Sequence, residues 1–277
     1  HCENDSMVTE ATQRLVEQGQ TGWAYHGQSR PEEAEAEAVH RVLYLASLAR
    51  ARVYIVHCST EMAVDEVDRV RSREGLWDQV FCETCPQYLL LHDGVYGEAH
   101  AAHYILQPPL RRHHHTLRLK HYVSSGVVDV LSTDSCDYLL EQKLAHPDFT
   151  RTPGGLPGVE TLLPLMYTTF EQAVGVPRLM QLLSENPARL FGLYPRKGTI
   201  MPGSDADLVI YDPEPHIPIR HEALHYRAGY SPYEGMIVRG RVRTVLSRGE
   251  VIVEDGAFSG RAGRGRFLAG GVSLAPK

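Results

Sequence analysis

The sequence predicts an α/β protein in which a parallel sheet covered by helices is followed by a smaller antiparallel β region. Three observations carry this reading. Short apolar runs alternate with helical stripes through residue 133. The runs are apolar on both faces, as strands covered on both sides must be. Beyond residue 198 the pattern changes to short strands divided by Gly-containing turns.

Residues 32–52 place Ala34, Ala38, Val42, Leu45 and Ala49 on one stripe, with acids at the front and arginines at the back, as the helix dipole favours. VYIVH (53–57) is a β-branched run that reads as a buried strand. Thr60 can cap a second helix whose Ala63, Val67 and Val70 face inward. QVFCE (79–83) is the next strand, and after a loop rich in Pro and His come a helix near 116–125 and the strand VVDVLST (127–133). Three such units do not close a barrel. In a (β/α)8 barrel of about 250 residues they would be its later strands. Two helical stretches follow, 159–174 and 177–191, the second interrupted by Pro187 and stopped by Gly192. ADLVIYD, MIVRG, VRTVLSRG and EVIVEDG then read as short antiparallel strands, and the Gly/Arg-rich end reads as a solvated extension.

Bulk properties narrow the function. The 277 residues carry a net charge of −6 with no block of like charges, so neither nucleic acid nor an anionic membrane is the expected partner. No apolar run approaches the roughly 20 residues of a membrane helix. Five cysteines, an odd number, argue against a disulfide framework and fit a reducing cytoplasm.

In α/β barrels catalytic groups project from the C-terminal ends of the strands. His57, Glu83 and Asp134 end the three strands here. Singly, such a histidine is more often a satisfied structural residue and such an aspartate a helix cap. Together they suggest a metal site, with His1 a fourth member if a strand precedes it. The HHH tract at 113–115 reads as solvated loop, and His100 and His103 have helical spacing without a carboxylate nearby. Cys58, Cys82, Cys85 and Cys136 read as buried small residues. There is no GxSxG, P-loop or dinucleotide fingerprint.

VHCST, FCETCPQYLLL, QPPLR, LSTDSC, GGLPGVETLLPL, NPARLFGLYPRKGTIMPGSDADLVIYDP and SPYEGMIVRGRVRTVLSRGEVIVEDG together resemble the hydantoinase/dihydropyrimidinase branch of the cyclic amidohydrolases. The resemblance runs from residue 1 to about 268. It implies a metal-dependent (β/α)8 barrel beside a β-sandwich built from both chain ends, assembled as tetramers or dimers. On it, residues 1–197 are the C-terminal half of the barrel, and 198–277 are sandwich strands and tail. HCEN matches an HxEN motif at the end of the fifth strand, so the first four strands, an HxH motif and a carbamylated lysine are expected upstream. The chain by itself is then expected to be inactive.

The resemblance further implies that His1 and His57 hold one divalent metal and Asp134 the other, two zinc ions in all, with Asp134 also moving the proton as a cyclic ureide opens to an N-carbamoyl amino acid. Gln107 and Gly154 would contact the ureide, largely through backbone groups. Gln107 stands where the family usually has Ser, and Gly154 where it has Asn. Ser135 and Asp137 replace a usual His and Pro beside Asp134. Two alternatives remain open: a non-catalytic interaction protein of the same fold, and an allantoinase-type amidohydrolase. Gln87, where allantoinases carry His, speaks against the latter.

Overall fold

The structure, a computed structural model, describes residues 1–276. Its contacts form two compact units: His1–Leu162 with Arg220–Glu234, and Leu163–Ile219 with the residues from Gly235 onward. Among the described residues no helix is long and apolar enough to cross a membrane.

The first unit is parallel α/β. It begins with α1 (Asp5–Glu17), whose Asn4 side chain accepts the Ser6 and Met7 amides as an N-cap. The short α2 (His26–Ser29) and the long α3 (Glu32–Ala49) lead to β1 (Val53–Ile55). Then come α4 (Glu61–Glu74), β2 (Val80–Thr84), α5 (Pro86–Leu90), α6 (His113–Ser125), β3 (Val130–Leu131) and α7 (Leu140–Leu144). The strands lie in chain order, β1-β2-β3, all parallel, with Val53 opposite Val80 and Glu83 opposite Val130. Thr60 caps α4 by accepting the Ala63 amide at 3.1 Å.

Several expectations need correction. On α3 the buried stripe is Ala34, Ala38, Val39, Leu43 and Ala46, whereas Leu45 is 56% exposed. The true face drifts one position from the expected one. Glu35 joins that face fully buried, because Ser59 and Thr60 donate hydroxyl bonds to its carboxylate and the Ser59 amide donates a third. β2, the central strand, is buried along its whole length, but Val53 and Tyr54 of β1 are only half-buried. The HHH tract is not loop. It opens α6, with His113 and His114 exposed and His115 buried.

The second unit starts with α8 (Leu162–Met180), whose course breaks at Gly175, continues through one wide turn (Gln181–Glu185) and ends in α9 (Asn186–Leu190). Pro187 does not interrupt this course. It sits in the first turn of α9, where a missing N–H costs little. An antiparallel sheet follows in the order β4-β5-β6-β7: Leu208–Pro218, Ile237–Ser247, Glu250–Glu254 and Ala257–Phe258. The segments expected as two strands, MIVRG and VRTVLSRG, are one strand, β5. Gly240 lets it pass: its φ is +89°, and a Cβ there would lie 2.4 Å from the Tyr211 ring. The ring stays because its hydroxyl donates to the Arg239 carbonyl at 2.6 Å.

Candidate active site

β1 and β3 are shorter than the runs that predicted them, and the turn just beyond each holds a residue forced into the left-handed region. His57 has φ +40° and Asp134 φ +49°, conformations that cost a non-glycine residue on the order of 1–3 kcal/mol. Each turn is held by its neighbours. Glu83, at the C-terminal end of β2, accepts the His57 amide at 3.1 Å and also the Tyr54 hydroxyl. The Gln87 side-chain amide donates to the Thr133 carbonyl at 3.1 Å, just ahead of Asp134, and the Tyr233 hydroxyl in turn donates to Gln87 at 3.3 Å. Strand ends of this kind aim side chains out of the sheet rather than along it.

The rings of His1 and His57 lie 4.6 Å apart, so these two residues do come together. His57 Nδ1 is buried and has no hydrogen-bond partner. Burial pushes the His57 imidazole down to about 4, so at neutral pH the ring is uncharged and offers a lone pair. That is the form a metal takes. Asp134 is exposed as a residue, yet partial desolvation pushes its carboxyl upward, and the Asp134 charge helps raise Glu83 after burial of Glu83 itself. The uncharged His57 ring beside His1 suits a divalent metal, and an orphaned buried nitrogen fits a ligand better than a packing role. Glu83 is the member whose oxygens are already engaged, by His57 N–H and Tyr54 OH.

Gln107 and Gly154 are neighbours. A Cβ built on Gly154 would lie 1.9 Å from Gln107 Oε1 and 2.5 Å from Cδ, so the Gln107 amide fills the space that any side chain at 154 needs. The two departures from the family pattern are thus one exchange of volume. Ser135 does not reach back to Asp134. Its hydroxyl meets Asp137 at 2.7 Å and accepts the Gly158 amide at 3.2 Å, while Cys136 N–H donates to the Leu156 carbonyl at 3.0 Å. The 154–158 segment is therefore tied to the loop that carries Asp134.

A second group, Glu32, His114 and His115, has metal-like composition. His115 has no nitrogen to spare: Nδ1 accepts the Glu61 amide at 3.1 Å and Nε2 meets the Glu32 carboxylate. This is a helix-terminus latch. The cysteines are all free, and Cys58, Cys82 and Cys85 are buried as expected, but Cys136 is exposed. Cys82 and Cys85 have CxxC spacing, yet lie unbridged at the buried end of β2. Sequence reasoning missed Tyr54, the holder of Glu83. A tyrosine inside an otherwise aliphatic strand was the available signal.

Comparison with known proteins gives this geometry a context. D-phenylhydantoinase of Escherichia coli O1:K1 is 42% identical over 273 residues, 97% of this chain and 59% of the relative. The crystal structure of dihydropyrimidinase from Brevibacillus agri NCHU1002 superposes with a TM-score of 0.96 at 34% identity, covering 100% of this chain and 60% of that one. D-hydantoinase from a Bacillus sp. AR9 gives 0.94 at 35% identity, covering 100% and 61%. The chain thus spans about three fifths of the length of the relatives it matches. Its α/β unit is accordingly part of a (β/α)8 barrel. Residues 20–252 match the amidohydrolase family, and the chain belongs to it.

Proposed function

We propose that residues 1–277 form the later part of a metal-dependent cyclic amidase that opens dihydropyrimidines or 5-substituted hydantoins to N-carbamoyl amino acids. The observation that carries this reading is the partnerless Nδ1 of a buried, uncharged His57 set 4.6 Å, ring to ring, from His1. On this reading His1 and His57 hold one ion and Asp134 the other, and we take the pair to be zinc. Bound there, the metal would polarise the scissile carbonyl and favour ionisation of water near neutral pH.

The chain's own residues supply the rest. Asp134, whose carboxyl is raised by partial desolvation, accepts the proton of the attacking water and passes it to the ring nitrogen as the C–N bond breaks. Glu83 keeps His57 in its left-handed turn through the backbone amide, so the imidazole need not reorganise. Gln107 and Gly154 line the edge where the ureide's carbonyl and N–H groups are recognised. The barrel residues on this proposal are 1–197, the remainder belongs to the sandwich, and the full-length protein assembles as a dimer or tetramer.

The test uses full-length protein carrying His57→Ala or Asp134→Asn. Each variant should lose bound metal by elemental analysis, and kcat/KM for dihydrouracil and hydantoin should fall by more than about 100-fold. Wild-type metal content with wild-type turnover in either variant would overturn the assignment. Gln107→Ser combined with Gly154→Asn should reorder kcat/KM across a ureide panel, since contacts worth about 1–3 kcal/mol decide between similar substrates. Gly154→Asn alone should be poorly tolerated, because Gln107 occupies its space.

A further inference from the structure

Lys143 is a fully buried lysine on the short helix α7. Its ammonium donates to three backbone carbonyls: Ile105 at 2.6 Å, Pro153 at 2.9 Å and Gly155 at 3.0 Å. Among the described residues no carboxylate pairs with it. Burying a charge without a counter-ion is expensive, and a Met or Leu would fill the same volume without that cost. A cation retained under those terms is holding something in place. All three of its protons are used, and the acceptors belong to two separate segments.

Those segments are the ones that carry the ureide-edge candidates. Ile105 is two residues before Gln107, while Pro153 and Gly155 flank Gly154. The Gly155 amide also donates to the Ile105 carbonyl at 3.0 Å, so that carbonyl receives both the backbone bond and the ammonium. Gly155 has no room to move: a Cβ there would lie 2.5 Å from the Cys136 carbonyl, in the loop that begins at Asp134. α7 is itself anchored, since the Leu140 amide donates to the Ala228 carbonyl at 2.8 Å.

We propose that Lys143 is a positioning residue for substrate recognition, fastening the 105–107 and 153–155 segments into one rigid edge against which the ureide ring is read. This rests on the ureide-hydrolase reading above. Lys143 touches neither metal ligand nor reacting atom. Its loss should therefore loosen the recognition edge and leave the metal centre intact. Burial pushes the amine down to about 7, opposed in part by the Cys136 sulfur nearby.

The experiment compares Lys143→Met and Lys143→Gln with wild type in the full-length, metal-loaded protein. In the Met variant KM for dihydrouracil should rise at least about tenfold with a much smaller change in kcat, the signature of lost binding rather than lost chemistry. Metal content should be unchanged. The Gln variant, with two donors for three carbonyls, should fall between, and it carries the test if the Met variant does not fold. Exchange of the Gly155 amide, followed by NMR or mass spectrometry, should quicken in the same order. A KM unchanged in both variants, with only thermal stability reduced, would overturn the proposal and leave Lys143 a structural residue. If wild type opens no ureide, the functional reading fails by itself. Gly155 exchange then still decides the lysine's role, and an unchanged rate would overturn it.

Discussion

The two compact units differ most in what they bury. Glu35, Arg71, Glu83, Arg111, Lys143, His26 and His57 are all buried in the first, whereas Asn186 is the one buried polar residue among those described in the second. The second unit relies on ladder bonds in its antiparallel sheet and on surface ion pairs such as Arg196–Asp205 and Arg243–Asp255. The parallel unit spends buried charge on backbone it must fix. Arg71 shows the principle away from the site. Its guanidinium takes the Val80 carbonyl at 2.9 Å and the Val127 carbonyl at 2.6 Å and pairs with Asp129, where β2 and β3 begin. At the opposite ends of the strands Glu83 and Gln87 do the same for His57 and Asp134. Buried polarity in this molecule marks loops whose conformation matters, and an exposed ion pair marks nothing of the kind.

The sharpest way to break this contrast is Arg71→Ala. It takes the buried guanidinium away from Asp129, which keeps the Cys82 amide, and from the Val80 and Val127 carbonyls, and should cost about 3–5 kcal/mol in denaturant unfolding. A smaller effect comes from His26, fully buried, whose Nε2 lies 2.8 Å from the Leu106 carbonyl. Burial pushes it from an ordinary 6.5 to about 4. Between those values the unfolded chain takes up a proton that the folded protein declines, so stability falls as pH falls. The loss should reach about 3 kcal/mol near pH 4, and His26→Gln should flatten that slope in stability measured against pH. The smallest effect belongs to the second unit. Lys197→Ala removes contacts to Asp205, at 2.9 Å, and Asp207 on the surface, and should change stability by no more than about 1 kcal/mol. If it cost as much as Arg71→Ala, the contrast between the units would be lost.

Much of the fold was legible because periodicity and capping are local. The alternation from 32 to 133 indicated a parallel sheet, Thr60 announced the start of α4, and the change beyond 198 anticipated the antiparallel sheet. What was missed depended on partners distant in the chain. Glu35 is an acid on a buried face because Ser59 and Thr60 wait for it, and the break at MIVRG vanishes because Gly240 makes room for Tyr211. His115 read as solvated until Glu32 and Glu61 closed around it. At the site, strand-end position singled out His57 and Asp134, but it was silent on the contact between Gln107 and Gly154, forty-seven residues apart by their numbers. It was equally silent on Lys143, a lysine in a polar pentapeptide whose burial nothing local foretells.

The sequential order of the three parallel strands bears on how the chain is assembled. Each new strand docks beside the one made just before it, through a single crossover, and no strand has to be inserted between two others already paired. Parallel pairing is slow when it waits for distant partners, but here β2 and β3 each find one neighbour already made when they emerge. β2 can gather against β1 with α4 between them, and Arg71 near the end of α4 already has its Val80 acceptor before β3 exists. The Asp129 and Val127 contacts then form as the third strand arrives, so the same side chain that steadies the finished sheet is placed to receive its next strand during synthesis.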